Sequence, residues 1–213
     1  MKKIEIITSW DDYHPDNYRI AKLLKKYKIP AIFFIQLVVN HEWVGDVKDF
    51  IVRSQIQDLS KDFKIGSHTI THPQDLKRLT WQALKDEIKG SKEMLEDMIK
   101  KPVNWFCYPR GRYNDLVLSN VIEAGYKYAR TTLVGNFKKP QDNFRIKTSL
   151  HCYPRKEYGG IDWLDIAKEK LNDKETEYFH LFGHAFEITR DKQWDKLEEL
   201  FDLINKNYDR YKK

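Results

Sequence analysis

Two pairs of polar residues have the types and spacing to bind a metal ion and to move a proton. His68 and His72 lie four residues apart in GSHTITHP, and Asp11 and Asp12 are adjacent in TSWDDYHPDN. Two histidines and one aspartate form a three-ligand set that suits a borderline ion such as zinc and leaves positions open for water and substrate. Because successive side chains of an extended chain point in different directions, one aspartate can bind metal while its neighbour moves a proton.

Each of these features also has an ordinary explanation. Adjacent aspartates after a strand are often a turn or the start of a helix, and two histidines four residues apart often bind nothing. A third histidine, His184 in EYFHLFGH, would on its own be read as a hydrogen-bonded core residue. The combination of all five residues, each after an apolar segment, favours a catalytic metal site.

The segments before these residues are predicted strands. Apolar runs predict strands in IEIITSW, AIFFIQ, FKIGSH, NWFCYP, YKYART and EYFHLFGH. Helical periodicity predicts helices in NYRIAKLLKKY and over residues 46–59, 80–100, 114–124, 161–171 and 191–207. Alternating strands and helices predict parallel pairing, in a doubly wound sheet or a barrel. The carboxyl ends of parallel strands share one edge, so the polar groups are expected to meet there.

Composition narrows the class of protein. A chain of 213 residues with 41% hydrophobic residues is predicted to form one domain over residues 1–213. No apolar run approaches the ~18 residues of a membrane span and no signal-peptide core is visible, so a cytoplasmic location is expected. Lysines interleaved with acids indicate a solvated surface, not a nucleic-acid partner, despite the net charge of +6. Cys107 and Cys152 are expected to remain thiols.

Four motifs, taken in order, resemble those of the polysaccharide deacetylases, also called carbohydrate esterase family 4 or the NodB-homology domain. The motifs are TSWDDYHPDN, GSHTITHP, FCYPRG and LFGH, and they span the chain from Ile4 to His184. The resemblance implies a distorted (β/α) barrel of about seven parallel strands. It also implies metal-dependent removal of an N-acetyl, or sometimes an O-acetyl, group from a sugar.

The resemblance further implies roles for matching residues. Asp11 matches the general base, and Asp12, His68 and His72 match the ligands of one divalent ion, with zinc expected first and cobalt or nickel as alternatives. His184 matches the general acid that protonates the departing amine. The implied partner is a carbohydrate bearing acetamido groups, such as an acetylated sugar on a nucleotide or lipid carrier.

The third motif departs from the family pattern. Cys107 lies where the family usually has an arginine that pairs with the catalytic aspartate, and a thiol cannot supply that cation. Arg145 is one candidate for the missing partner. Tyr108 and Arg110 are expected near the substrate, with the backbone N–H of Arg110 as the donor to the oxyanion.

The sequence offers several candidates for the acid that orients His184 and for the aromatic residues that stack on sugar. Glu187, three residues after His184, is one candidate for the acid, and Asp162 and Asp165 are others, although a helix start explains the two aspartates equally well. Trp43 and Tyr108 are candidate stacking surfaces.

Three hypotheses follow for function. The first is a metal-dependent carbohydrate deacetylase. The second keeps the fold and metal ligands but hydrolyses another non-peptide amide. The third, suggested by the missing arginine, is a non-catalytic glycan-binding relative. The five-residue set favours an enzyme, because a binding module has no chemical need for all five.

Overall fold

Seven parallel strands form a single curled sheet in the structure, a computed structural model that describes residues 3–38 and 53–207. The strands are β1 Glu5–Asp11, β2 Ala31–Ile35, β3 Lys64–Ser67, β4 Trp105–Cys107, β5 Tyr128–Arg130, β6 Leu150–His151 and β7 Tyr178–His184. Their order in the sheet is β5-β4-β3-β2-β1-β7-β6. The edge strand β5 is joined to the chain before β6 by an isolated bridge between Arg130 and Ile146. The predicted distorted barrel of about seven parallel strands is therefore confirmed.

Helices pack on the outside of this sheet. They are α1 Asn17–Tyr27, α2 Arg53–Asp62, α3 Trp81–Lys85, α4 Ser91–Ile99, α5 Asp115–Glu123, α6 Trp163–Asn172, α7 Ala185–Arg190 and α8 Trp194–Lys206. In α1, Ile20, Leu24 and Tyr27 are buried, as the helical spacing predicts. None of the described helices is both long and apolar enough to cross a membrane.

Two apolar cores follow from the two-residue period of the strands. In β2, Phe33 and Ile35 pack in the larger core beneath the helices, whereas Ile32 and Phe34 pack with Cys107 inside the barrel. Both faces of this strand are buried, which explains why its sequence is a continuous apolar run without polar alternation.

Some predicted elements differ in extent. The helix predicted over residues 80–100 is interrupted by a π-helical turn at Asp86–Gly90, and the strand β6 was not predicted. A short helix, α7, begins directly after β7. Residues 46–52 of the helix predicted over 46–59, and Trp43, lie outside the described residues.

Gly183, next to the last residue of β7, allows close packing beside the predicted acid. A Cβ atom there would lie 2.1 Å from Sγ of Cys152, which is buried. We expect Gly183→Ala to lower the free energy of unfolding by about 1–3 kcal/mol through overpacking, measured by urea denaturation. Cys152→Ala in the same chain should relieve the loss.

Gly90→Ala is the matched control for this prediction. Gly90 has a helical backbone, and its nearest neighbour would be 3.4 Å from the new Cβ. Alanine in a helix is favoured over glycine by about 1 kcal/mol, so this variant should be unharmed or stabilised. A Gly183→Ala chain as stable as the parent would contradict the packing described here.

Candidate metal and catalytic site

The carboxyl ends of the strands bring the predicted residues together in one cleft. Asp11 ends β1 and lies beside His184, the last residue of β7, in the parallel register. The cleft has a volume of about 380 Å³, and its lining includes Asp11, Asp12, His68, His72, Arg110, His184 and Glu187. A larger cavity of about 690 Å³ lies at the opposite ends of β1 and β2 and contains no histidine. The chemistry therefore identifies the smaller cleft as the candidate site.

Asp12, His68 and His72 present their ligand atoms to a common point. Oδ1 of Asp12 lies 3.7 Å from Nε2 of His68 and 3.8 Å from Nε2 of His72. The three ligand atoms are all within 4.8 Å of one another. Oδ1 is buried and accepts no hydrogen bond from the described residues, which is costly for a carboxylate oxygen unless a cation or water takes its place. The residues present thus fit a divalent ion.

The protonation of the two histidines also suits metal binding. Nδ1 of His68 is 2.9 Å from the carbonyl oxygen of Cys107. A carbonyl only accepts, so Nδ1 carries a proton and Nε2 is the ring nitrogen turned toward Asp12. Burial, with His68 nearby, lowers the pKa of His72 to about 4, so this imidazole is neutral and able to ligate at neutral pH.

The backbone of the ligands is held in a rarely populated conformation. Asp12, Thr69 and His72 have φ angles of 60°, 70° and 51°, although none is glycine. Oγ1 of Thr69 accepts a hydrogen bond from the backbone N–H of His72, and Asn17 donates to the backbone carbonyl of Asp12. Such conformations cost free energy and persist where surrounding contacts impose them, often at functional sites.

Asp11 is paired with Arg130, the last residue of β5. The Arg130 guanidinium donates to both carboxylate oxygens and is fully buried. It lies between two aromatic rings, 5.1 Å from the Phe34 centroid and 4.8 Å from that of Phe182. Burial alone would raise the pKa of Asp11, but the charge and hydrogen bond of Arg130, together with His68 and His184 nearby, lower the pKa to about 2.

This pairing corrects the suggestion that Arg145 holds Asp11. Arg145 is half-exposed and pairs with Asp142 and Asp115 on the surface.

Cys107 on β4 is the register partner of Arg130, and its Sγ is 2.9 Å from Nη2 of Arg130. Burial raises the pKa of the thiol, which is therefore neutral. The small side chain of Cys107 leaves room for a guanidinium from the next strand.

Arg130 was not predicted as a site residue, although its place within an apolar strand is a signal of a buried partner. An arginine within a short apolar strand, as in YKYART, is costly to bury unless it has a partner. The partner itself could not be read from the chain, because Asp11 is 119 residues away.

Glu187 contacts His184. Nδ1 of His184 is 2.7 Å from Oε2 of Glu187. Burial would lower the pKa of His184, but the hydrogen bond and charge of Glu187 raise it to about 9. Asp162 does not reach the site: it caps α6 by accepting from the N–H of Leu164 and contacts Lys196, and Asp165 lies in the first turn of that helix. The helix-start explanation accounts for both aspartates.

Of the two third-motif residues predicted to lie near the substrate, Tyr108 and Arg110, only Arg110 lines the cleft. Tyr108 is fully buried, and its hydroxyl donates to the carbonyl oxygen of Phe144. Its backbone N–H donates to the carbonyl oxygen of Arg130. Both donors are used, so Tyr108 is neither a stacking surface nor an oxyanion donor. Arg110 lines the cleft with a φ of 55°, and its predicted role toward an oxyanion stays a prediction.

Comparison with known proteins adds two findings at the level of sequence. The family profile described as Polysaccharide deacetylase matches residues 1–129, a range that includes Asp11, Asp12, His68 and His72. The uncharacterized protein YlxY of Bacillus subtilis (strain 168) is 26% identical over 109 residues, which are 49% of this chain and 30% of that protein.

Solved structures with the same fold include three informative ones. Streptococcus pyogenes deacetylase PplD, in complex with acetate, is 25% identical with a TM-score of 0.58, over 66% of this chain and 62% of PplD. BC0361, a polysaccharide deacetylase from Bacillus cereus, is 29% identical with a TM-score of 0.54, over 66% of this chain and 45% of BC0361.

The third, BA3943 from Bacillus anthracis, is a CE4 family pseudoenzyme. It is 18% identical with a TM-score of 0.60, over 95% of this chain and 62% of that one. At this level of identity the similarity shows only that the two chains share a fold. The chain thus spans less than two thirds of the length of each of these relatives.

Proposed function

Because the chain belongs to the polysaccharide deacetylase family, we propose that it hydrolyses an acetyl group, on nitrogen or on oxygen, of a carbohydrate. The observation that carries the proposal is one cleft that contains the ligand set Asp12, His68 and His72 together with an ionised carboxylate, Asp11, and a protonated imidazole, His184. The solved neighbour PplD contains acetate, which is the product expected of this reaction.

Asp12, His68 and His72 would hold one divalent ion, with zinc expected first. The chemistry that such an ion supplies when bound is polarisation of a carbonyl and a lowered pKa of water. Asp11 accepts a proton from the attacking water, because its carboxylate is ionised at neutral pH and is fixed by Arg130. A carboxylate with a pKa of about 2 is a weak base, so proton transfer to Asp11 would depend on the lowered pKa of water that a bound ion supplies.

His184 acts on the leaving group. Its Nδ1–H donates to Glu187, so the second ring nitrogen, Nε2, faces Asp12 and the cleft. With a pKa of about 9 the imidazole is protonated at neutral pH, and Nε2–H can be transferred to the departing nitrogen. The C–N bond breaks, water supplies the second oxygen of acetate, and the sugar is left with a free amine.

Metal content tests the ligand set. We expect about one divalent ion per chain in the purified, metal-loaded protein by elemental analysis, and loss of that ion in His72→Ala. His14→Ala is the matched control, since His14 lies in the loop after β1 and its Nδ1 accepts from the N–H of Asp16, outside the ligand set. A protein that binds no ion after reloading with zinc, cobalt or nickel would refute the site.

Acetate release then separates the three functional hypotheses. The proposal predicts release of acetate from N-acetylglucosamine oligomers by the metal-loaded parent. Hydrolysis of ring amides with no acetate release would favour the second hypothesis. Metal and glycan binding without turnover of either substrate would favour the non-catalytic relative.

A further inference from the structure

His151, on β6, is a buried histidine that the reaction outlined above leaves without a role. Its side chain lies beside the cleft, and Nε2 is 2.8 Å from Oε2 of Glu187. The same carboxylate oxygen is 2.7 Å from Nδ1 of His184. A single oxygen of Glu187 therefore contacts two imidazole rings, one of which, His184, lines the cleft.

The positions of the protons follow from the chemistry of the carboxylate. Hydrogen bonds from the two histidines and the charge of His184 keep the pKa of Glu187 well below its usual range despite burial, so both of its oxygens only accept. Each ring must then donate: His184 through Nδ1–H, and His151 through Nε2–H. Burial lowers the pKa of His151, so this ring is the neutral Nε2–H tautomer.

Three contacts fix His151 itself. Its ring stacks on Phe182, with centroids 4.2 Å apart and planes 12° from parallel. The hydroxyl of Tyr158 accepts from the backbone N–H of His151 at 2.7 Å and donates to its carbonyl at 3.0 Å. Tyr158 is itself buried. The donor to Glu187 is thus anchored at ring and backbone, whereas Glu187 lies on the short helix α7.

We propose that His151 is a positioning residue for acid catalysis: its Nε2–H holds the Glu187 carboxylate where that group orients the His184 ring toward the leaving nitrogen. This inference rests on the proposed function. Partners that orient a functional histidine typically matter by about 10- to 100-fold in activity when they are removed.

The test compares two substrates whose leaving groups differ in their need for a proton. An amine leaves an N-acetyl sugar only with a proton, whereas p-nitrophenolate leaves p-nitrophenyl acetate without one. His151→Phe keeps a ring on Phe182 but cannot donate. It should lower kcat on the N-acetyl sugar by about 10- to 100-fold with little change in KM, and leave ester hydrolysis unchanged.

His151→Gln is the conservative variant, because its amide can donate to Glu187. It should recover most of the lost amide activity, and both variants should keep the metal content of the parent. Equal losses on the amide and the ester, or full amide activity in His151→Phe, would overturn the inference.

A readout independent of turnover separates this inference from the proposed function. The proton in the hydrogen bond from His184 Nδ1 to Glu187 should give a downfield NMR resonance that persists in His151→Gln and is lost in His151→Phe. An unchanged resonance in His151→Phe would overturn the positioning role even if the parent releases no acetate. A parent without acetate release that shows the expected loss would refute the proposed function alone.

Discussion

Replacing Asp11 with asparagine is expected to lower acetate release by about 10²- to 10⁴-fold, the range that a general base contributes. Asparagine keeps the size of the side chain and an oxygen for Arg130, but it cannot take a proton from water. The metal content should stay that of the parent, because the ligand set uses Asp12 and not Asp11. Acetate release by the metal-loaded variant, beside elemental analysis, checks both parts.

Asp16→Asn provides the matched control for Asp11→Asn. Asp16 lies in the same loop after β1, and its carboxylate contacts Thr189 and His14 outside the cleft lining. It should release acetate at the parent rate. Undiminished release from Asp11→Asn would exclude Asp11 as the base and would leave the proton to another group in the cleft.

Arg130→Met is expected to lower the free energy of unfolding at neutral pH by about 3–5 kcal/mol, the usual cost of removing one partner from a buried ion pair. Asp11 would be left buried without its balancing cation, since the described residues place no other guanidinium on its carboxylate. Denaturant unfolding at neutral pH measures the loss, and acetate release should fall with it because the base is no longer fixed.

The pH dependence of this loss has a definite sign. The pKa of Asp11 is lowered in the folded chain, from 3.8 to about 2, so the ion pair stabilises the fold above pH 4. That stabilisation is lost as the pH falls from about 4 toward 2, where Asp11 takes up a proton. In Arg130→Met the arginine no longer opposes the effect of burial, which raises the pKa of Asp11. The difference in stability between the parent and Arg130→Met should therefore begin to shrink above pH 4 and continue to shrink toward pH 2.

A second variant distinguishes a lost ion pair from lost packing. In Asp11→Leu/Arg130→Met both charges of the pair are removed, so the double variant should be more stable than Arg130→Met alone. If the two are equally unstable, the cost would come from the space that Arg130 fills between Phe34 and Phe182.

The strand-end residues could be predicted because their positions follow from local pattern alone. An apolar run ends at Asp11 and another at His184, and parallel pairing brings carboxyl ends to one edge whatever the order of the strands. The metal ligands follow from the same argument, since His68 comes directly after β3. The alternation of strands and helices predicted parallel pairing but left a doubly wound sheet and a barrel both open. The barrel of about seven strands was implied by the family resemblance.

The supporting residues could not be predicted because they depend on register and on very short elements. β6 is two residues long, too short for any periodicity, so nothing in the sequence marked His151 as facing Glu187.

Tyr108 illustrates the opposite error, a residue predicted to be in the site that lies in the core. It follows a strand end, as the site residues do, but its ring turns into the core, where stacking with Tyr113 and burial decide its place.

The register of Cys107 and Arg130 has a consequence for how this site can change over time. Register partners on adjacent parallel strands point to the same face of the sheet, so Cys107 and Arg130 are neighbours on the inward face. A charge needed at that point can be supplied from either strand if the other offers a small residue. The unit under selection is then the pair of neighbouring positions and not either position alone, and a missing arginine in one motif is no sign of a lost activity until its register partner has been inspected.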